Sequence, residues 1–222
     1  MEANPVDRAR APRVIDPATW SRREAFDLFK GFGFPYLSVT ADVDVTGLRK
    51  AHRKGGFSFT VGLVYALARA ANEVPALRQR LRDGEAVEHS AVHPSITVLA
   101  QDNVFRFATL HYESEFRRFA AAASERIERA RRPGALWSEP DRDDLLYLTT
   151  LPWVSFTAIV HPVPLDPPDS VPRIAWGRFR EERRHTLLPL NVQAHHALVD
   201  GIDIGRFYAR VEEIASNRTL FA

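Results

Sequence analysis

One segment near the end of the chain joins two kinds of regular structure, and it runs Leu190-Asn191-Val192-Gln193-Ala194-His195-His196-Ala197-Leu198-Val199-Asp200-Gly201. Apolar and polar residues alternate through its first half, which predicts a strand, and the Asp-Gly pair then opens a helical pattern. Successive side chains of a strand point to opposite faces, so the parity of the apolar residues from Leu188 to Ala194 continues to His196. We therefore predict that His196 lies on the apolar face.

An imidazole on an apolar face loses part of its hydration, which favours the neutral form and leaves a nitrogen lone pair that can accept a proton. His196 is thus a candidate general base, although a buried histidine of purely structural role would give the same pattern. Asp200 precedes a helical pattern and is well placed as its N-cap. We predict no metal site, because the His-His-x-x-x-Asp spacing has no third ligand nearby and the chain has no cysteine.

Composition restricts the class of protein. The chain has 222 residues, of which 45% are hydrophobic, and this is enough for one sizeable core. Its 30 basic and 28 acidic residues are interleaved, which argues against a nucleic-acid partner. Without cysteine there is no disulfide, and the sequence shows neither a signal peptide nor a membrane-spanning segment, so we predict a cytoplasmic protein.

We expect residues 1–15 to form a flexible N-terminal tail and residues 16–222 a single domain. Helical patterns and strand patterns follow one another without regular alternation. This mixture predicts an α/β (α+β) two-layer sandwich, in which a mixed, largely antiparallel sheet is flanked by helices. A core helix is predicted from Phe59 with a break at Pro75 and a helical continuation over Ala76–Arg82. The predicted strands are Phe34–Val45, Ala86–His89, Ser95–Leu99, Val104–Leu110, Leu145–Leu151, Trp153–His161, Arg173–Phe179 and His185–His196.

Several motifs carry a family resemblance from about Trp20 to the end of the chain. The chain resembles the chloramphenicol acetyltransferases. The motifs are Trp20-Ser21-Arg22-Arg23-Glu24-Ala25-Phe26, Asp83-Gly84-Glu85, Leu151-Pro152-Trp153-Val154-Ser155-Phe156, Leu188-Pro189-Leu190 and His195-His196-Ala197-Leu198-Val199-Asp200-Gly201.

The resemblance implies an acyltransferase that uses acetyl-coenzyme A as co-substrate and a small molecule with a hydroxyl group as acceptor, with chloramphenicol as the acceptor named for the family. It also implies a homotrimer with active sites between subunits. His196 matches the family's general base, which activates the hydroxyl for direct attack on the thioester. Asp200 and Arg22 match an ion pair that has a structural role at the site.

Further positions follow from the same resemblance. Thr149 stands where the family has a serine that stabilises the oxyanion, and Ala175 stands where it has a threonine, so one hydroxyl donor is missing. Trp153 and Arg178 match positions near coenzyme A. The acceptor pocket is expected to be lined by Phe29, Leu37, Phe107, Tyr147, Ile159 and His161.

Two alternatives stay open at this point. The changes at Thr149, Ala175 and Tyr147 fit a family member re-tuned for a different acceptor, either a small molecule or a group bound to a carrier protein. The missing hydroxyl at Ala175 also fits a trimeric binding protein that has lost catalysis, although His196 and Asp200 argue against this.

Overall fold

A computed structural model describes residues 11–132, 134, 136 and 142–222. The N-terminal half of this part contains β1 (Arg13–Val14), α1 (Arg23–Phe29), β2 (Tyr36–Asp44), α2 (Thr46–Gly55), α3 (Phe59–Glu73), β3 (Gln79–Arg82), β4 (Glu85–Glu88), β5 (His93–Leu99) and β6 (Phe105–Thr109). It is followed by α4 (Phe116–Ala130), β7 (Leu145–Leu151), β8 (Arg173–Gly177), β9 (Arg180–Glu182), β10 (His185–His195) and α5 (Gly201–Ser216). Short 3₁₀ helices cover Pro75–Arg78 and Arg218–Phe221.

The main sheet has the strand order β2-β10-β8-β7-β5-β6, with β9 paired to the outer part of β10. β7 runs parallel to β5 and β8, and the other neighbours are antiparallel. A small second sheet has the order β1-β4-β3. The predicted fold class, a mixed and largely antiparallel sheet flanked by helices, is confirmed.

β10 organises the core because both of its faces are buried. Leu188, Leu190, Val192 and Ala194 belong to the apolar core that the sheet shares with the helices. α3 is apolar almost throughout and buried along most of its length, as expected for a helix inside that layer. The opposite face of β10 is covered by the segment 152–172. The side chains on this face are at most 1% exposed: Asn191, Gln193 and His195.

The prediction of a strand over Trp153–His161 is wrong. The segment crosses the open face of the sheet without joining a ladder, and it is held by side chains instead. Ser38 donates to the carbonyl of Ile159 at 3.1 Å, and the Gln193 amide accepts from the backbone N–H of His161 at 2.8 Å. Most of its side chains are exposed, Val154 by 51% and Val160 by 65%, and only Phe156, Ile159 and His161 are half-buried, so the apolar content of the segment does not reflect strand pairing.

The predicted helical continuation over Ala76–Arg82 is also wrong in its second half, where β3 forms a hairpin with β4. Asp83 and Gly84 both have positive φ, at 50° and 81°, which is the geometry of a tight two-residue hairpin turn. At the N-terminus, residues 1–10 of the predicted tail lie outside the described residues, while Arg13 and Val14 pair with β4 and are therefore held to the domain.

Arg80 of β3 joins the small sheet to the start of β7 through hydrogen bonds to backbone carbonyls. Its guanidinium is fully buried and donates to the carbonyls of Leu77 (3.0 Å), Gln79 (2.5 Å), Asp143 (2.5 Å) and Leu145 (2.6 Å). We expect Arg80→Ala to lower the free energy of unfolding by about 3–5 kcal/mol, because it leaves several buried carbonyls without a donor. Chemical denaturation measures this loss.

The matched control for that experiment is Arg82→Ala. Arg82 is two residues further along the same strand, but its side chain is 43% exposed and pairs with the Asp143 carboxylate at 2.5 Å. Exposed ion pairs contribute about 0–1 kcal/mol, so we expect a correspondingly small change. Equal losses in the two variants would show that the carbonyl contacts of Arg80 do not stabilise the fold.

Candidate active site

The turn between β10 and α5 sets the positions of the two neighbouring histidines. β10 ends at His195, whose side chain is only 1% exposed, and burial lowers the pKa of this imidazole to about 4. The backbone N–H of His196 leaves the ladder and donates to the carbonyl of Pro35 at 2.7 Å. The prediction that His196 continues the apolar face is therefore wrong, because the strand stops one residue earlier and the His196 ring is only half-buried.

The imidazole of His196 is nevertheless held in a defined state. Its Nδ1 lies 3.0 Å from the carbonyl oxygen of Val199, and because a carbonyl can only accept, Nδ1 carries the proton. In the neutral ring the lone pair is then on Nε2. The ring of Phe29, at the end of α1, stacks on His196 with 4.0 Å between centroids. This contact shields one face of the imidazole and fixes its plane.

Arg22 holds the turn that carries His196. Its guanidinium donates to the backbone carbonyls of His196 at 2.6 Å and Ala197 at 3.0 Å, and to the Asp200 carboxylate at 2.7 Å. The Arg22 hydrogen bond holds the pKa of Asp200 below its ordinary value, helped by the N–H of Gly201. Asp200 also caps α5 in a reciprocal capping box with Asp203. The predicted ion pair of Arg22 and Asp200 is present, and its contacts are those of a support for the turn.

A separate cavity of about 800 Å³ opens on the sheet face opposite the helices, between β5, β6, β7, β8 and the segment 152–172. Most of its wall is apolar. The remaining wall residues are polar or charged: Thr97, Tyr147, Thr149, Thr150, His161, Asp169 and Arg173. A cavity of this size, mostly apolar with a few polar groups, is typical of a small-molecule site.

The predicted site residues are divided between these two places. Phe29 contacts His196 and not the cavity, Leu37 packs against the edge of the core, and Arg178 is exposed, with its backbone N–H donating to Val154. The other predicted residues line the cavity: Phe107, Tyr147, Thr149, Trp153, Ile159 and His161.

Sequence reasoning missed several wall residues. Thr97 and Leu99 share the strand parity of a predicted strand and face the cavity, so a closer reading of that parity would have identified them. Asp169 lies in the proline-rich loop, for which no geometry was predicted, and Arg173 is the first residue of β8, a predicted strand for which no cavity-facing side was assigned. Ala175 pairs with Thr149 in the sheet and is fully buried, so no hydroxyl is presented at that position.

Strand register gives the separation between His196 and the cavity within one chain. Thr149 pairs with Ala175 and Ala175 with Asn191, so Thr149 lies level with Asn191, two strands away. At about 4.8 Å per strand and 3.3 Å per residue, the five residues from Asn191 to His196 put His196 roughly 19 Å from Thr149. The imidazole of His196 and the side chain of Thr149 in one chain are therefore too far apart to act on the same atoms.

Within the described ranges, no group of three histidine, aspartate or glutamate side chains is arranged to hold a metal ion. Over the same part of the chain, no helix has the length and apolar character needed to cross a membrane.

The comparisons with known proteins agree with this architecture. The family model for chloramphenicol acetyltransferase matches residues 12–212. The chain is 28% identical over 206 residues to chloramphenicol acetyltransferase 3 of Escherichia coli, covering 92% of this chain and 97% of that protein. It is 26% identical over 201 residues to a chloramphenicol acetyltransferase of Proteus mirabilis, covering 90% and 93%.

Solved structures give the same result. A chloramphenicol acetyltransferase structure superposes with a TM-score of 0.86 at 26% identity, covering 91% of this chain and 99% of that one. A probable dihydrolipoamide acetyltransferase from Listeria monocytogenes, at 16% identity, has a TM-score of 0.61 over 92% and 94% of the two chains, which is a likeness of fold.

Fold and sequence together define an acyltransferase. The chain belongs to the chloramphenicol acetyltransferase family, whose members use acetyl-coenzyme A and act on a small-molecule acceptor.

Proposed function

We propose that this enzyme transfers the acetyl group of acetyl-coenzyme A to a hydroxyl of a small molecule, at a site formed between His196 of one subunit and the cavity of the next. The observation that carries the proposal is the roughly 19 Å separation of His196 and Thr149 within a chain, obtained from the sheet register. A second copy is needed to bring the imidazole of His196 to Thr149.

The exposed apolar surface supports a ring of identical subunits. Near His196, Phe32 contacts Phe29 and is 48% exposed, and Phe34 is 54% exposed. At the cavity, Trp153 and Val160 are about two-thirds exposed, at 66% and 65%. Two different apolar patches on one chain fit a head-to-tail contact, and such contacts form a ring when the rotation between neighbouring subunits closes. The homotrimer implied by the family resemblance is one such ring.

The chemistry assigned to His196 follows from its tautomer. With Nδ1–H held by the carbonyl of Val199, Nε2 can take the proton of the acceptor hydroxyl as the oxygen attacks the thioester carbonyl. A C–O bond forms and the carbonyl becomes an oxyanion. When the C–S bond breaks, the leaving thiolate takes the proton from the imidazolium. The products are an ester and coenzyme A, and no acyl-enzyme is required.

Thr149 is assigned to the oxyanion. It lies at the cavity wall near the end of β7, where its hydroxyl can donate to the oxygen that becomes negatively charged. Trp153 and Arg178 are assigned to the binding of coenzyme A. Both side chains are exposed, and they are close along the surface because the backbone N–H of Arg178 donates to the carbonyl of Val154, the residue after Trp153. Cytoplasmic localisation remains a prediction.

The reaction is tested by measuring thiol release from acetyl-coenzyme A with chloramphenicol and with simpler primary alcohols. We expect release that depends on the alcohol and yields the ester. If no alcohol increases thiol release above the rate of hydrolysis, the proposed transfer is wrong. Release with simple alcohols but not with chloramphenicol would indicate a re-tuned acceptor cavity.

A further inference from the structure

The cavity wall contains a second imidazole, His161, that the proposed transfer does not use. His161 is half-buried at the cavity, and its backbone is fixed by two contacts with the Gln193 amide, at 2.8 and 3.3 Å. Burial, and to a lesser extent the charge of Arg173, lowers the pKa of His161, which keeps the ring neutral. A neutral imidazole in a fixed position has one donor and one acceptor nitrogen.

Asn191 determines which nitrogen carries the proton. Nε2 of His161 and Oδ1 of Asn191 are both buried, and neither has another hydrogen-bond partner among the described residues. The two side chains interact, at a geometry looser than a standard hydrogen bond. The Asn191 amide nitrogen donates to Ser38 and Thr40, so its oxygen is the atom directed to His161. An amide oxygen only accepts, and Nε2 therefore carries the proton.

The neighbouring polar groups of the wall are occupied. Arg173 donates to the Asp169 carboxylate at 2.6 Å and to the carbonyl of Val171 at 3.0 Å, and it stacks over the Tyr147 ring. The other carboxylate oxygen of Asp169 accepts the N–H of Val171 at 2.8 Å. The charged groups of Arg173 and Asp169 therefore already have partners within the protein. The positive charge of the Arg173 guanidinium disfavours a cationic ligand next to His161.

We propose that Nδ1 of His161 accepts a hydrogen bond from a second hydroxyl of the acceptor, at a distance from the hydroxyl that is acetylated, and so selects for acceptors with two hydroxyl groups. The inference rests on the proposed function, since it assigns the cavity to the acceptor. His161 is a specificity-determining residue, and it takes no part in proton transfer. An acceptor that places an apolar group against Nδ1 loses this hydrogen bond. The site therefore favours the acceptor with the second hydroxyl over its apolar counterpart.

Two nearly isosteric alcohols test the proposal, 4-hydroxyphenethyl alcohol and 4-methylphenethyl alcohol, which differ only in the second hydroxyl. With the full-length enzyme we expect kcat/KM for thiol release to favour the hydroxyl compound by about tenfold. His161→Leu is expected to abolish or reverse this preference, and His161→Gln, which keeps an acceptor atom, to restore part of it. A wild-type enzyme without preference, or a preference that survives in His161→Leu, overturns the inference.

A measurement that does not need turnover separates this inference from the proposed function. In ¹⁵N-histidine NMR of the wild-type protein, assigned with His161→Gln, we expect a neutral His161 ring protonated at Nε2. Addition of the hydroxyl compound should shift the Nδ1 resonance and the methyl compound should not. A ring protonated at Nδ1, or a resonance that responds to both compounds or to neither, overturns the inference. Failure of all alcohols in the thiol assay would instead overturn the proposed transfer.

Discussion

Replacement of His196 by alanine is expected to lower kcat/KM for thiol release by roughly 10²–10⁴-fold, the usual contribution of a general base. The hydroxyl of an acceptor has a pKa far above neutral, so its attack on a thioester requires removal of the proton. Nε2 of His196 is the atom oriented for this task by the Nδ1 contact with Val199. Steady-state kinetics with acetyl-coenzyme A and a turned-over alcohol measures the loss.

The control is His185→Ala. His185 has a side chain that is 61% exposed, at the outer end of the same strand, where it contacts Asp44. We expect its removal to leave kcat/KM nearly unchanged. Unchanged turnover in His196→Ala would exclude this residue from the mechanism. Because the His196 ring is only half-buried, we expect the variant to fold, so a large loss of activity would not reflect unfolding.

Replacement of Thr149 by alanine is the second large expected effect, a decrease of roughly 10²–10³-fold in kcat, because one oxyanion donor is removed. Ala175, its sheet neighbour, has no hydroxyl that could take over. KM for the alcohol is expected to change little, since the contact strengthens mainly in the transition state. Single-turnover and steady-state measurements distinguish the two effects.

Thr149→Ser is the matched variant. Serine keeps the hydroxyl and lacks the methyl group that restricts χ1 in threonine, so we expect activity close to that of the wild type. A serine variant as inactive as the alanine variant would mean that the methyl group, and therefore packing, is what matters at this position. Equal activity of all three forms would exclude Thr149 as an oxyanion donor.

The sequence predicted most of the fold because its strongest signals are local. Alternation along β10 and the Asp-Gly pair before α5 are properties of a single strand and a single helix, and both elements are present. The parity argument for His196 failed because where a strand ends depends on its partners: here the N–H of His196 bonds to Pro35 and leaves the ladder. The strand predicted over Trp153–His161 failed because apolar content alone does not decide pairing: Val154 and Val160 are more than half exposed, and the segment lies over the sheet without joining it.

The candidate site was predicted only in part, and the missing part is geometric. Thr149, Tyr147 and His161 were identified by resemblance and line one cavity, but no spacing along the chain indicates that His196 lies roughly 19 Å from Thr149. That distance follows from the strand order, in which β8 separates β10 from β7. The charged part of the wall pairs Arg173, the first residue of β8, with Asp169 of the preceding loop, whose geometry no local pattern predicted.

A mixture of two inactive variants gives the most direct test of a site shared between subunits. Co-expression of His196→Ala and Thr149→Ala chains in equal amounts would place an intact His196 beside an intact Thr149 at roughly one interface in four, if subunits assemble at random in a ring. We predict that thiol release by the mixture rises well above that of either variant, towards a quarter of the wild-type value. A mixture no more active than the average of the two variants alone would contradict a site formed between subunits.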